Sequence, residues 1–191
     1  MGNIITISGP RGVGKSAVVN KLSARHDIHP VAPYTTRAMR TGEVDGVDYR
    51  FVDHAQFSQL RHSRPMFDVL DLNGNQYGTP LRDFEDITYD TDTETIRSVN
   101  LAANSAIQLK RQLGSDAVRS IFIIPASWSD IERQMREKGI SEEEIRNRRG
   151  TEPTDLTLLP HFDQIVINKY DEIDATVANI ARYALGAFTE R

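Results

Sequence analysis

Cysteine is absent from all 191 residues, which removes disulfides, thiolate metal ligands and cysteine nucleophiles together. Long apolar runs are missing as well, so nothing reads as a membrane-spanning helix. No excess of positive charge exists: 23 Lys and Arg stand against 27 Asp and Glu, a net charge of −4. That balance argues against a broad nucleic-acid face and leaves only local basic pockets for small anions. The histidines at 26, 29, 54, 62 and 161 share no ligand spacing with other donors, so no histidine-held metal is expected. A charged start followed by an apolar stretch is lacking, and with it a secretory signal. Met1, Gly2 and Thr6 fit the loose N-myristoylation pattern, but they run straight into Ile4, Ile5 and Ile7, which a buried strand requires. A cytoplasmic chain without repeats or long linkers is the expectation.

What is present is an ordinary globular composition, 39% hydrophobic and 26% charged, long enough for one domain. Residues 3–8 read as a short buried strand, followed by a glycine-rich segment and a helix carrying Val18, Val19 and Leu22. Residues 118–124 and 163–168 read as further buried parallel strands, with a weaker one at 95–100. Val177, Ile180, Ala181, Ala184, Leu185 and Phe188 recur at helical spacing and predict a final helix packed on the sheet. Between 33 and 79 the texture is β-rich, with Asn73-Gly74 predicting a hairpin turn between 66–72 and 75–79. Ser141 and Glu144 form a capping-box pattern ahead of an arginine-bearing helix, within a segment, 137–150, that reads as a lid.

Gly9-Pro10-Arg11-Gly12-Val13-Gly14-Lys15-Ser16 satisfies G-x-x-x-x-G-K-[ST] in the required context of preceding strand and following helix. In such a P-loop, backbone N–H groups turn inward around phosphates and the helix N-terminus adds its dipole. Lys15 reaches the β- and γ-phosphates of ATP, and the Ser16 hydroxyl ligates magnesium. The donor site is therefore read as Gly9, Gly12, Val13, Gly14, Lys15 and Ser16, with Lys15 catalytic.

Residues 35–52, TTRAMRTGEVDGVDYRFV, closely resemble the TTRxxRxGEVxGxDYxFV stretch of guanylate kinases. The resemblance continues through the P-loop, Gly74-Asn75-Gln76-Tyr77-Gly78-Thr79, Ile121-Phe122-Ile123 and Ile165-Val166-Ile167-Asn168, covering nearly the whole chain. It implies a P-loop NTPase fold, α/β and three-layered, with a parallel sheet of about five strands. Its parts would be a core (1–32, 80–136, 151–191), a β-rich NMP-binding insert (33–79) and a lid (137–150). The implied activity is ATP-dependent phosphorylation of GMP, or of dGMP, with Mg2+, in a monomer or homodimer. The implied ligands are small nucleotides, with neither nucleic acid nor membrane as partner.

The resemblance assigns Arg37, Arg40, Tyr49 and Tyr77 to the acceptor phosphate, with Arg37 also catalytic and Glu43 orienting the arginines. Two guanidinium forks three residues apart can converge on one phosphate while two tyrosine hydroxyls donate to it. A carboxylate accepts both guanine donors, N1–H and N2–H2, whereas adenine presents a mismatched edge. Asp68 stands where the family has glutamate, and Thr79 matches its base-contacting hydroxyl. The aspartate stem is one methylene, about 1.5 Å, shorter, so Asp68→Glu is expected to improve the use of GMP. Asn168 aligns with an asparagine near the donor adenine, and Arg148, with Arg146 and Arg149 beside it, with an arginine closing on the transferring phosphoryl group.

Two features depart from the family pattern. Ser98-Val99-Asn100 replaces an acidic pair that helps hold magnesium, and Gln134 and Lys138 replace lid arginines, with Arg133 placed to compensate. Two rival readings follow: a P-loop kinase for another small phosphorylated acceptor, and a nucleotide-binding protein with impaired turnover.

Overall fold

The innermost strand, β1 (Asn3–Ser8), is buried at every residue. In the computed structural model, which describes residues 3–63, 65–72, 74–89, 95–137, 139–149, 156–169 and 171–189, it lies between two parallel neighbours. These are β7 (Ile96–Asn100) and β8 (Val118–Pro125), with β2 (Ile28–Pro30) and β9 (Gln164–Asn168) parallel at the edges. Alternation decides which face each side chain serves. Ile5 and Ile7 pack with α1 (Lys15–His26), α5 (Trp128–Glu137), α6 (Glu142–Arg149) and α7 (Ile173–Thr189), whereas Ile4 packs with α3 (Leu81–Tyr89) and α4 (Ala103–Leu113). Helices on both faces of a parallel sheet make the three-layer α/β architecture expected of a P-loop protein.

Register brings one end of every core strand to the same edge. Ile7 pairs with Asn100, Ser8 with Phe122 and Pro125 with Asn168, so the carboxyl ends of β1, β7, β8 and β9 share a rim. Ligands of open α/β sheets gather at that rim, where β1 leads through α1 to β2 on one side and β7 leads through α4 to β8 on the other.

Residues 34–80 build a second sheet, in order β4 (Arg50–Phe51), β3 (Tyr34–Thr35), β6 (Asn75–Pro80) and β5 (Met66–Leu72), with α2 (His54–Ser63) against it. β5 and β6 are the expected antiparallel pair, closing at Leu72↔Asn75; Asn73 of the expected turn lies outside the described residues. Phe67 ties this sheet to the core, 4% exposed and edge-on to Phe84 of α3 at 5.8 Å. Burying such a ring contributes about 1.5–3 kcal/mol.

Several details differ from the sequence reading. β2 was not expected: three residues ending in proline carry no periodic signal, and only pairing with β7 makes them a strand. β9 is an edge strand whose Ile165 and Ile167 are exposed, although a buried strand was expected. Leu185 on α7 is likewise exposed, whereas Val177, Ile180, Ala181 and Ala184 are buried as anticipated; the side chain of Phe188 lies outside the described residues. α6 begins as its capping pattern requires, with Ser141 Oγ accepting the Glu144 N–H at 3.2 Å.

Candidate functional site

Between β1 and α1 the P-loop turns through Gly9, Gly12 and Gly14, all with positive φ. At Gly9 the requirement is absolute, because a Cβ would sit 2.2 Å from the Ile123 carbonyl oxygen. Gly14 is the N-cap of α1, and no side chain caps that helix, so its first amides stay available to an anion. Lys15 folds back over the loop, donating to the carbonyls of Gly9 (2.6 Å) and Pro10 (2.9 Å).

A cavity of about 900 Å³ opens from this loop toward the second sheet. Gly9, Lys15 and Ser16 of the loop line it together with Tyr49, Asp68, Tyr77 and Thr79 of the second sheet, and Ser98 and Asn100 of β7 complete the wall. Seven of the expected site residues therefore share one space. Arg37, Arg40 and Glu43 stand behind the tyrosines rather than in the cavity wall.

Arg37, Glu43 and Tyr49 of the expected clamp are already in contact. Both Arg37 terminal nitrogens donate to Glu43, at 2.8 and 3.1 Å, and a further bond runs from Arg37 to the Ala38 carbonyl. The guanidinium lies 5.3 Å from the Tyr49 ring centre and 5.7 Å from that of Phe51. Glu43 also accepts the Arg40 backbone N–H at 2.8 Å. The Arg37 guanidinium, and after it the Arg40 N–H, holds the Glu43 carboxyl below the ordinary carboxylate range, and Glu43 raises Arg37 in turn. Both charges thus persist at neutral pH. Burial first, and Tyr77 second, push the Tyr49 hydroxyl above its usual value, so it stays protonated and able to donate. Tyr49 and Tyr77 meet edge to face at 6.0 Å.

Asp68 is placed differently from the sequence expectation. It sits at a bulge in β5, in the left-handed region at φ 49°, and its carboxylate accepts the Ala102 N–H at the start of α4, 2.6 Å away. The carboxylate is therefore anchored on the core, and its short stem suits that anchor. The anchor sets a second demand on the carboxylate beside its reach toward a base.

Asn168, at the end of β9, is engaged at both ends of its amide. Nδ2 donates to the Val13 carbonyl at 2.8 Å, and Oδ1 accepts the Thr176 hydroxyl at 2.8 Å. It lies outside the cavity wall.

Among the described residues no group of three or more His, Asp or Glu could hold a metal by itself. The Ser98 hydroxyl is fully buried without a hydrogen-bond partner, and Asn100 is exposed at the rim. Neutral oxygens and the Ser16 hydroxyl suit a magnesium ion delivered on nucleotide phosphates. At the border of the expected lid, Arg136 of α5 bonds Glu142 of α6 at 2.5 and 3.1 Å, and Arg133, also on α5, pairs with Asp130. Lys138 and the side chains of Gln134, Arg148 and Arg149 lie outside the described residues.

Sequence reasoning missed Ala102 and Thr176, whose backbone amide and buried hydroxyl carry no signal of their own. Phe51 and Thr36 lay inside the recognised stretch without a role. Thr36 binds the second sheet together, its Oγ1 accepting the Gln76 N–H at 2.8 Å.

A P-loop on a parallel sheet, sharing one cavity with Tyr49 and Tyr77 of a second sheet, is the frame of a kinase of small phosphorylated acceptors. The family model described as Guanylate kinase matches residues 1–185. A guanylate kinase of Zymomonas mobilis is 32% identical over 188 residues, covering 94% of this chain and 81% of that one. One from a Mycobacterium species is 35% identical over 172 residues, covering 88% and 84%. The crystal structure of guanylate kinase from Anaplasma phagocytophilum superposes with a TM-score of 0.71 at 25% identity, covering 98% of this chain and 87% of that one. The chain belongs to the guanylate kinase family.

Proposed function

We propose that this chain transfers the γ-phosphoryl group of ATP to the phosphate of GMP, releasing ADP and GDP. The observation that supports this reading is the single cavity lined by the P-loop residues together with Tyr49, Tyr77, Asp68 and Thr79. An acceptor phosphate oxygen bonds to the γ-phosphorus as its bond to the β–γ bridging oxygen breaks, and ADP leaves with that electron pair. The side chains supply alignment and charge rather than covalent chemistry.

Lys15 turns from the loop carbonyls to the β- and γ-phosphates. Arg37 and Arg40, set by Glu43, hold the acceptor phosphate with the hydroxyls of Tyr49 and Tyr77, while Asp68 and Thr79 read the guanine edge. Arg148 neutralises charge on the transferring group. Magnesium, held on the protein side by Ser16, would supply charge neutralisation on the β- and γ-phosphates. The division into core, insert (33–79) and lid (137–150) is part of the reading, as are a monomeric or homodimeric state and a cytoplasmic location. No helix among the described residues is long and apolar enough to cross a membrane.

The test is ADP release and GDP formation with GMP, dGMP, AMP, CMP and UMP as acceptors. GMP is expected to be the preferred ribonucleotide. No GDP at saturating GMP and MgATP overturns the proposal.

A further inference from the structure

The glycines that let the P-loop wrap a phosphate also leave its peptide planes free to rotate, so something else must set them. The plane between Val13 and Gly14 is a case in point. Gly14, at φ 97°, offers no steric resistance to a flip, and Val13 is 3% exposed. Its carbonyl is out of reach of bulk water and depends on a protein donor. That donor is the Asn168 amide, 2.8 Å away. In a trans peptide the C=O of one residue and the N–H of the next point in opposite directions. Holding the Val13 carbonyl toward β9 therefore aims the Gly14 N–H into the loop, where a phosphate oxygen is to be received.

Only the Asn168 NH2 end can satisfy a carbonyl, so the amide orientation is determined by Val13. The Asn168 oxygen then accepts the hydroxyl of Thr176, a residue 4% exposed on the first turn of α7. Contact with the loop is close as well: a Cβ at Gly14 would lie 3.1 Å from Asn168 Nδ2. We propose that Thr176 and Asn168 are positioning residues, a relay from α7 through the end of β9 that fixes the phosphate-facing Gly14 amide. The proposal rests on reading the P-loop as the donor-phosphate site. It assigns Asn168 an effect on the triphosphate that needs no contact with the adenine ring.

The experiment measures Kd for ATP, for inorganic tripolyphosphate and for GMP, all with magnesium, in the wild type and in Thr176→Val, Thr176→Ser and Asn168→Ala. Thr176→Val keeps the shape and removes the donor, whereas Thr176→Ser keeps the hydroxyl. Thr176→Val and Asn168→Ala are expected to weaken ATP and tripolyphosphate alike, by about tenfold for Asn168→Ala, which orphans the Val13 carbonyl, and less for Thr176→Val. Thr176→Ser restores wild-type values, and GMP affinity stays within about twofold throughout. A loss confined to ATP, with tripolyphosphate unaffected, overturns the relay in favour of a direct adenine contact. Parallel loss of GMP affinity overturns it in favour of a general structural role. Unchanged Kd values in both variants overturn it outright. If the wild type binds neither ATP nor tripolyphosphate, the donor-site reading falls and takes this proposal with it.

Discussion

Replacing Asp68 by glutamate tests whether the carboxylate proposed to read the base is set by its own reach or by its anchor at the start of α4. In the structure one carboxylate oxygen lies 2.6 Å from the Ala102 N–H. An added methylene moves the carboxylate by about 1.5 Å, so this bond breaks or the strand bulge around φ 49° has to shift. A hydrogen bond to a charged group contributes about 1.5–3 kcal/mol, and the lower end applies to a bond open to solvent. Glutamate also tolerates the left-handed region less well than aspartate, a further cost of about 1 kcal/mol. The sum, about 2.5 kcal/mol, corresponds to a fall of roughly 30- to 100-fold in kcat/KM for GMP. The assay is steady-state ADP release at saturating MgATP with GMP varied, alongside the KM for ATP, which should not move. A variant that equals or exceeds the wild type with GMP would refute the anchor and restore the argument from reach.

Lys15→Ala should abolish GDP formation while leaving the melting temperature within a few degrees, because the lysine folds onto the loop carbonyls at 2.6 and 2.9 Å and is not part of the hydrophobic core. Substantial residual turnover would remove Lys15 from the catalytic role. Asn100→Asp should raise turnover at limiting magnesium, since position 100 is exposed and a carboxylate there needs no partner. Ser98→Asp should instead lower the melting temperature, as it buries a charge at a fully buried position; equal stability of the two variants would contradict this assignment. Asp163 is pushed up by burial, but the ammonium of Lys110 with the N–H and hydroxyl of Ser120 outweighs that and leaves its carboxyl below the ordinary range. A depressed folded pKa gives stability that is present above the unfolded value, near pH 4, and is lost as pH falls through the folded one. Melting curves from pH 7 to 2.5 should show that acid loss in the wild type and a shallower one in Asp163→Asn, and superimposable acid limbs would refute it.

Much of the site was legible in the sequence because its parts are local. A P-loop needs glycines at set intervals beside a lysine and a hydroxyl, and the short apolar run next to it already reads as a buried strand. The clamp was legible for the same reason, since Arg37, Arg40, Glu43 and Tyr49 fall within one short stretch whose turn brings them together. The final helix was read correctly at Val177, Ile180, Ala181 and Ala184, whereas Leu185 proved exposed, because periodicity gives a face but not the width of sheet available to cover it.

Tertiary structure alone decided the rest. Strand β2 exists because β7 offers it hydrogen bonds, and β9 leaves Ile165 and Ile167 exposed because it is an edge. The backbone amide of Ala102 became the anchor of Asp68 across 34 residues of chain, and the Val13 carbonyl found its donor 155 residues away. The physical reason is common to both. Which chemistry a residue can perform is written in its side chain and near neighbours, whereas an unsatisfied backbone group accepts any partner the packed fold brings within reach.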